Sequence, residues 1–295
     1  MMIRRNQNPS RRAPGRCRAA GLVGAAALAL AVAACGGDSG DEAGGCLSGL
    51  AEHLTDDPSY VGGSDLSRAR DAGFDDSGDS EALYESVLAT GVSPDPLVQR
   101  SLALLTPLDE LPYAPSDVEC WAGTQYSFVA RGSFDADEVA ASAGPEGPEV
   151  ADDLLAWSDD TDPASLLEPS EPRDDIEIAL GVLDDEEVAG LALSRGYVDG
   201  PLAAIGVAHT DAWDVVGVWT FADDDAAVEG AERVAAILSS GESSLPDLVT
   251  GDPAAGLETD GRTVTLRAPL ADQSDVAAVS ALVQRFDPVL LTSRP

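Results

Sequence analysis

The run Asp214-Val215-Val216-Gly217-Val218-Trp219-Thr220-Phe221 is followed, one residue on, by Asp223-Asp224-Asp225. Its apolar residues fall on both faces, the pattern of a central strand, and the acids open a helix whose positive end they offset. That helix carries Val228, Ala231, Val234, Ala235 and Leu238 on one stripe. Two further segments share this plan of strand, acidic turn and helix. Tyr126, Phe128 and Ala130 alternate with Ser127, Val129 and Arg131 before a helix that starts around Phe134 to Val139. Asp135, with Glu138 three residues on, forms a capping-box arrangement there. Val264 and Leu266 alternate with Thr263, Thr265 and Arg267 ahead of a helix bearing Val276, Val279, Leu282, Val283 and Phe286. The repetition is one of shape, with no clear repeat of sequence.

Working outward, 187–198 and 202–209 read as two strands joined through Asp199-Gly200-Pro201, and 176–182 offers another. Upstream of Cys120 the chain is expected to be helical, over 65–72, 80–88 and 96–105. Residues 144–175 are rich in Pro, Glu, Asp and Ser, so surface loops are expected around one short helix at 150–157. The sum is an α+β fold, with helices packed on a mainly antiparallel or mixed sheet built from strand-then-helix units. A boundary near residue 120 is an alternative to a single domain over 46–295.

The chain opens with six arginines and no acid in eighteen residues, then an uncharged apolar stretch from Ala19 to Ala34. That is the layout of a secretory signal peptide over 1–34, and it is shorter than the ~20 residues of a membrane-spanning helix. Its end, Val32-Ala33-Ala34-Cys35, resembles the lipobox of bacterial lipoproteins. The resemblance implies that Cys35 takes lipid, palmitate among its chains, and anchors the protein to the outer face of the cell membrane. Arg11-Arg12 offers a twin-arginine export route as the alternative to general secretion. Residues 35–45, mostly Gly, Ser and acids, form a flexible tether. Tyr60 to Arg70, Pro115 to Trp121 and Gly132 to Asp135 together look similar to uncharacterised surface lipoproteins of high-G+C Gram-positive bacteria, which brings no activity with it.

Beyond residue 34 eleven arginines, and no lysine, face 53 acids, a net charge of −42. Such a surface repels nucleic acid and anionic headgroups, so no nucleic-acid partner is expected and lipid is the whole membrane attachment. Cys46 and Cys120 are left as a pair in an oxidising compartment, where a disulfide is expected.

Chemistry-bearing motifs are sparse. Gly37-Asp38-Ser39-Gly40 matches a serine-protease nucleophile locally, but no histidine precedes it and a glycine tether cannot hold a strained nucleophile. His53 reads as a solvated helix residue and His209 as the end of a strand. Asp75 and Asp79 resemble calcium ligands, yet an EF-hand loop from Asp75 would need Gly and Glu where Ser80 and Ser86 stand, and capping of a helix explains the run more simply. The four tryptophans read as core anchors. Arg195, inside a strand, is a candidate ligand-binding residue: facing inward it needs a carboxylate, as a structural ion pair or as part of an anion site. No cofactor is expected. These features point to a non-catalytic binding or interaction domain at the cell surface, with a solute-binding receptor of an uptake system and an envelope-acting hydrolase as alternatives.

Overall fold

The computed structural model of the chain describes residues 45–54, 60–77, 79–90, 92–104, 107–124, 126–143, 147–170, 173–195, 201–272, 275–276, 278–279, 282 and 289. The expected signal peptide, Cys35, all of the expected tether but Gly45, Asp199-Gly200 of the expected turn, and Val283 and Phe286 of the expected last helix lie outside them.

Ten strands form one sheet: β1 Tyr60–Asp65, β2 Val118–Gly123, β3 Ser127–Gly132, β4 Glu149–Ala151 and β5 Leu154–Ser158, then β6 Val188–Arg195, β7 Leu202–His209, β8 Trp213–Thr220, β9 Leu257–Asp260 and β10 Thr263–Pro269. Their spatial order is β4-β5-β3-β2-β1-β6-β7-β8-β10-β9, and every pairing is antiparallel. The helices are α1 Leu66–Asp71, α2 Ser80–Thr90, α3 Pro96–Leu104, α4 Ala136–Ala143, α5 Pro163–Leu167, α6 Asp174–Asp185 and α7 Asp224–Ser240. Because strand side chains alternate between faces, each face collects its own core. Trp121, Phe128, Ile205, Trp219 and Leu266 pack with Leu66, Leu83, Val98, Val139 and Val234 of α1 to α4 and α7. On the other face Val61, Val129, Leu193, Val216 and Val218 pack with Leu180 and Leu183 of α6, Leu166 of α5 and Leu50 of a 3-10 helix, Ser48–His53. The α+β reading holds, with a sheet that is antiparallel throughout. β2 sits between β1 and β3, so the sheet runs straight through the alternative boundary near residue 120.

The same strand order occurs twice. β1 to β5 and β6 to β10 each lay their strands out in the order first, second, third, fifth, fourth, with α4 or α7 between third and fourth and α1 to α3 inserted between β1 and β2 of the first half, and the two first strands pair at the centre. Registers agree as well: Asp65, Cys120, Arg131 and Leu154 are cross-strand partners in the first half as Arg195, Leu202, Thr220 and Thr263 are in the second. Each half ends in a hairpin with two turn residues, and Asp152 and Gly261 both open those turns at φ +53°. Two of the three strand-then-helix segments in the sequence, β3-α4 and β8-α7, are this duplication; the third, after β10, has no part in it. Few equivalent side chains are alike, Val129 with Val218 and Ser64 with Ser194 being among those that are.

Four expectations are corrected. Residues 150–157 form the β4–β5 hairpin, because Asp152 accepts a positive φ and turns the chain. Residues 176–182 lie in α6, where Ile176, Ala179, Leu180 and Leu183 share one buried face at helical spacing. Upstream of β3 the expected helices stand as α1, α2 and α3, but β1 and β2 flank them where no strand was expected; in β1 a Cβ at Gly63 would come within 2.8 Å of the Trp121 carbonyl oxygen, so glycine permits this close pairing. The buried stripe of α7 is Ala227, Gly230, Val234 and Leu238, which leaves Val228 exposed.

Candidate functional site

At the C-terminal end of β6 the chain leaves Arg195 on the face covered by α6, in line with Leu191 and Leu193. Register places Arg195, Leu202, Thr220 and Thr263 in one row across β6, β7, β8 and β10. α6 runs over this face with its first turn near the row, and Asp175 meets Arg195 as an ion pair. Arg173, the N-cap residue of α6, also reaches Asp175, its Nε 3.4 Å from Oδ1. The β9–β10 turn presents Arg262 immediately after Gly261, and its guanidinium lies 3.7 Å from Asp174.

These groups surround a cavity of about 530 Å3. Arg233, from α7, closes its other side, and Pro201, Phe221, Ala222 and Ala226 supply apolar wall. The buried hydroxyl of Thr220, also in the lining, has no hydrogen-bond partner. Among the described lining residues, four guanidiniums face two carboxylates. An excess of positive charge held between low-dielectric walls attracts anions locally, whatever the sign of the distant surface. Arginine presents up to five fixed donors and accepts nothing, so the cavity suits oxygen-rich anions.

Arg195 thus sits where both readings of it meet: it has a carboxylate partner, and it lines a basic cavity. Arg173, Arg233 and Arg262 were not singled out in the sequence, since they are scattered along it and only the fold gathers them.

The other candidates lie elsewhere. Asp75 accepts from the backbone N–H and hydroxyl of Ser77, and Asp79 caps α2 through the N–H groups of Glu81 and Ala82. Among the described residues no three His, Cys, Asp or Glu side chains converge as metal ligands. His53, expected to be solvated, is 6% exposed, and its Nδ1–H donates to the Leu166 carbonyl at 3.0 Å, tying the 3-10 helix to α5. His209 ends β7 and stacks edge-on against Trp213. Cys46 and Cys120 form the expected disulfide, their Cα atoms 6.1 Å apart. All four tryptophans are buried.

One buried acid stands apart from the cavity. Asp95, 1% exposed, caps α3 with Oδ1, which accepts from Leu97 N, Val98 N and the Tyr113 hydroxyl, while Oδ2 has no partner. Burial pushes its carboxyl up to about 6, against the lowering effect of those three bonds. A smaller cavity of about 300 Å3 lies between α3 and β5, and its charges, Arg100 and Asp159, pair with each other at 3.8 Å.

Set beside protein-family models, curated proteins and solved structures, the chain matches none of them.

Proposed function

We propose that this chain is a lipid-anchored protein of the outer face of the cell membrane, whose folded part is a non-catalytic binding domain with the arginine-lined cavity as its anion site. One observation carries the reading: four of the eleven arginines beyond residue 34 line a single cavity of a chain with 53 acids. Asp174 and Asp175 already share that space, and a further anion entering it would meet Arg233, which ion-pairs with none of the described residues, beside the paired guanidiniums. The only carboxylates described there, Asp174 and Asp175, pair with Arg262, Arg195 and Arg173, which leaves no facing acid pair for hydrolysis. A single continuous sheet supports a domain presenting one cavity over a receptor closing two lobes on a solute. The anchor rests on the lipobox resemblance at Cys35; no helix among the described residues is long and apolar enough to cross a membrane.

Calorimetric titration of the full chain with citrate, inorganic phosphate and an acidic peptide tests the site. Binding of at least one of them that is lost in Arg233→Gln/Arg262→Gln supports it, and binding of none overturns it. Mass spectrometry of the N-terminal peptide tests the anchor: diacylglyceryl-modified Cys35 is expected, and an unmodified Cys35 in membrane-isolated protein removes it.

A further inference from the structure

α3 is pinned where the chain enters it and lightly packed along its length. The Ser93 carbonyl accepts from Ser64 Oγ of β1 at 2.8 Å and from Trp121 Nε1 of β2 at 3.0 Å, which ties the chain to the sheet just ahead of the helix. Beyond that point Val98 and Ser101 are the buried side chains of α3, Leu97 and Leu102 are partly buried, and Leu104 at its far end is 66% exposed. Between α3 and β5 lies the cavity of about 300 Å3, with Leu97, Leu104 and Trp157 in its wall. A helix over open space forgoes the dispersion contacts of close packing, so its opening is governed by the few groups it does bury.

Chief among these is Asp95, at the N-cap. Its Oδ1 takes all three hydrogen bonds, from Leu97 N, Val98 N and the Tyr113 hydroxyl, and the buried Oδ2 has none. Among the described residues no cation pairs with it, and Tyr113 is the titratable group that acts on it. Other charges on the neighbouring segments are engaged elsewhere or face water. Arg100 of α3 pairs with Asp159 of β5, Asp65 of β1 with Arg68 of α1, and Arg70 of α1 with Asp76, while Asp117 accepts from Ala114 N. Glu81 and Glu85 of α2, Asp109 and Glu110 ahead of Tyr113, and Glu119 of β2 are exposed. An ionised carboxylate with one bare oxygen in such surroundings is destabilised, and either a proton or water relieves it.

We infer that α3 is a lid over the Trp157 cavity, hinged at Ser93, shut while Asp95 is protonated and opening more readily once that carboxyl ionises, because opening gives Oδ2 access to water. The shut lid holds its proton up to about pH 6, and the open one, with the carboxyl in water, to about pH 4. The opening constant therefore rises about tenfold per pH unit between those values and levels off above them.

The test is hydrogen exchange of the full chain at pH 5 and 7.5, each rate divided by the intrinsic rate at that pH. The opening constant of the α3 amides is expected to rise about tenfold between the two, and to exceed that of the β7 amides at both. In Asp95→Asn it is expected to stay constant. In Tyr113→Phe, which takes a donor from the anion, it is expected to rise more than in the wild type, a result that stands even where the Asn variant does not fold. A constant value in the wild type, a pH response retained in Asp95→Asn, or a smaller rise in Tyr113→Phe overturns the lid. Equal opening constants in α3 and β7 also overturn it, since the carboxyl would then sense only unfolding of the whole domain.

Discussion

Asp95 shows how far one buried atom can set a pH response. Its carboxyl is held near 6 in the fold against about 4 in an unfolded chain. The folded state keeps the proton that the unfolded state gives up, so the favourable contribution is full below pH 4 and is lost as pH rises through 6. Across that window wild-type stability is expected to fall by about 2–3 kcal/mol relative to Asp95→Asn. Denaturant titrations of both proteins at pH 4 and 7.5 measure the difference. Stability of the wild type relative to the variant that does not fall as pH rises contradicts the assignment. Comparing the change in that difference, instead of its size at one pH, removes whatever the Asn amide loses by lacking a partner at the Oδ2 position.

At the scale of elements, Gly230 decides how α7 meets the sheet. A Cβ there would lie 2.0 Å from the Phe221 ring, which is itself buried. Alanine favours helix over glycine by about 1 kcal/mol, yet Gly230→Ala is expected to destabilise by about 1–3 kcal/mol, because overpacking outweighs propensity. A lower urea midpoint at unchanged slope would show it, and a raised midpoint would refute the packing argument. The disulfide closes a span of 74 residues, and reducing it is expected to cost about 4 kcal/mol in the chain-entropy account. Melting curves with and without dithiothreitol measure that, with no shift the contrary outcome.

Elements also show what could be read without a structure. β8 and α7 were legible because burial on both faces and the Asp223 cap each left a local mark; Asp223 does accept from Ala226 N. The β4–β5 hairpin was not, since Val150 and Leu154 stand a helical turn apart and the turn depends on the backbone of Asp152. Ile176 to Leu180 alternates like a strand, and only packing against the 3-10 helix and β8 selects the helix. In β1, Gly62 and Gly63 carry no side chain to announce a strand. At the site, Arg195 stood out as a charge among apolar neighbours, while Arg173, Arg233 and Arg262 look like ordinary surface residues until the fold brings them together.

For the molecule as a whole, the cavity is a basic spot on a strongly acidic body. An acidic ligand is repelled at long range and held at short range. Salt shortens the reach of that repulsion, from about 30 Å at 0.01 M to about 10 Å at 0.1 M. The association rate of the acidic peptide is therefore expected to rise between these two concentrations, the reverse of an electrostatically steered pair. Stopped-flow measurement checks this, and a falling rate would mean that the cavity's field extends beyond the surface charge.

The bond between Cys46 and Cys120 also fixes how tension travels. A pull on the residues before Cys46 passes straight to β2, which is hydrogen-bonded to β1 on one side and β3 on the other. Everything between the two cysteines, from the 3-10 helix through α3, stands outside that path. Detaching β2 along its length strains many hydrogen bonds at once, whereas a reduced chain would first peel away its 3-10 helix, one contact after another. The crosslink thus makes β2, a strand with a neighbour on each side, the point at which tension from the residues before Cys46 enters the fold, ahead of the 3-10 helix that follows Cys46 in the chain.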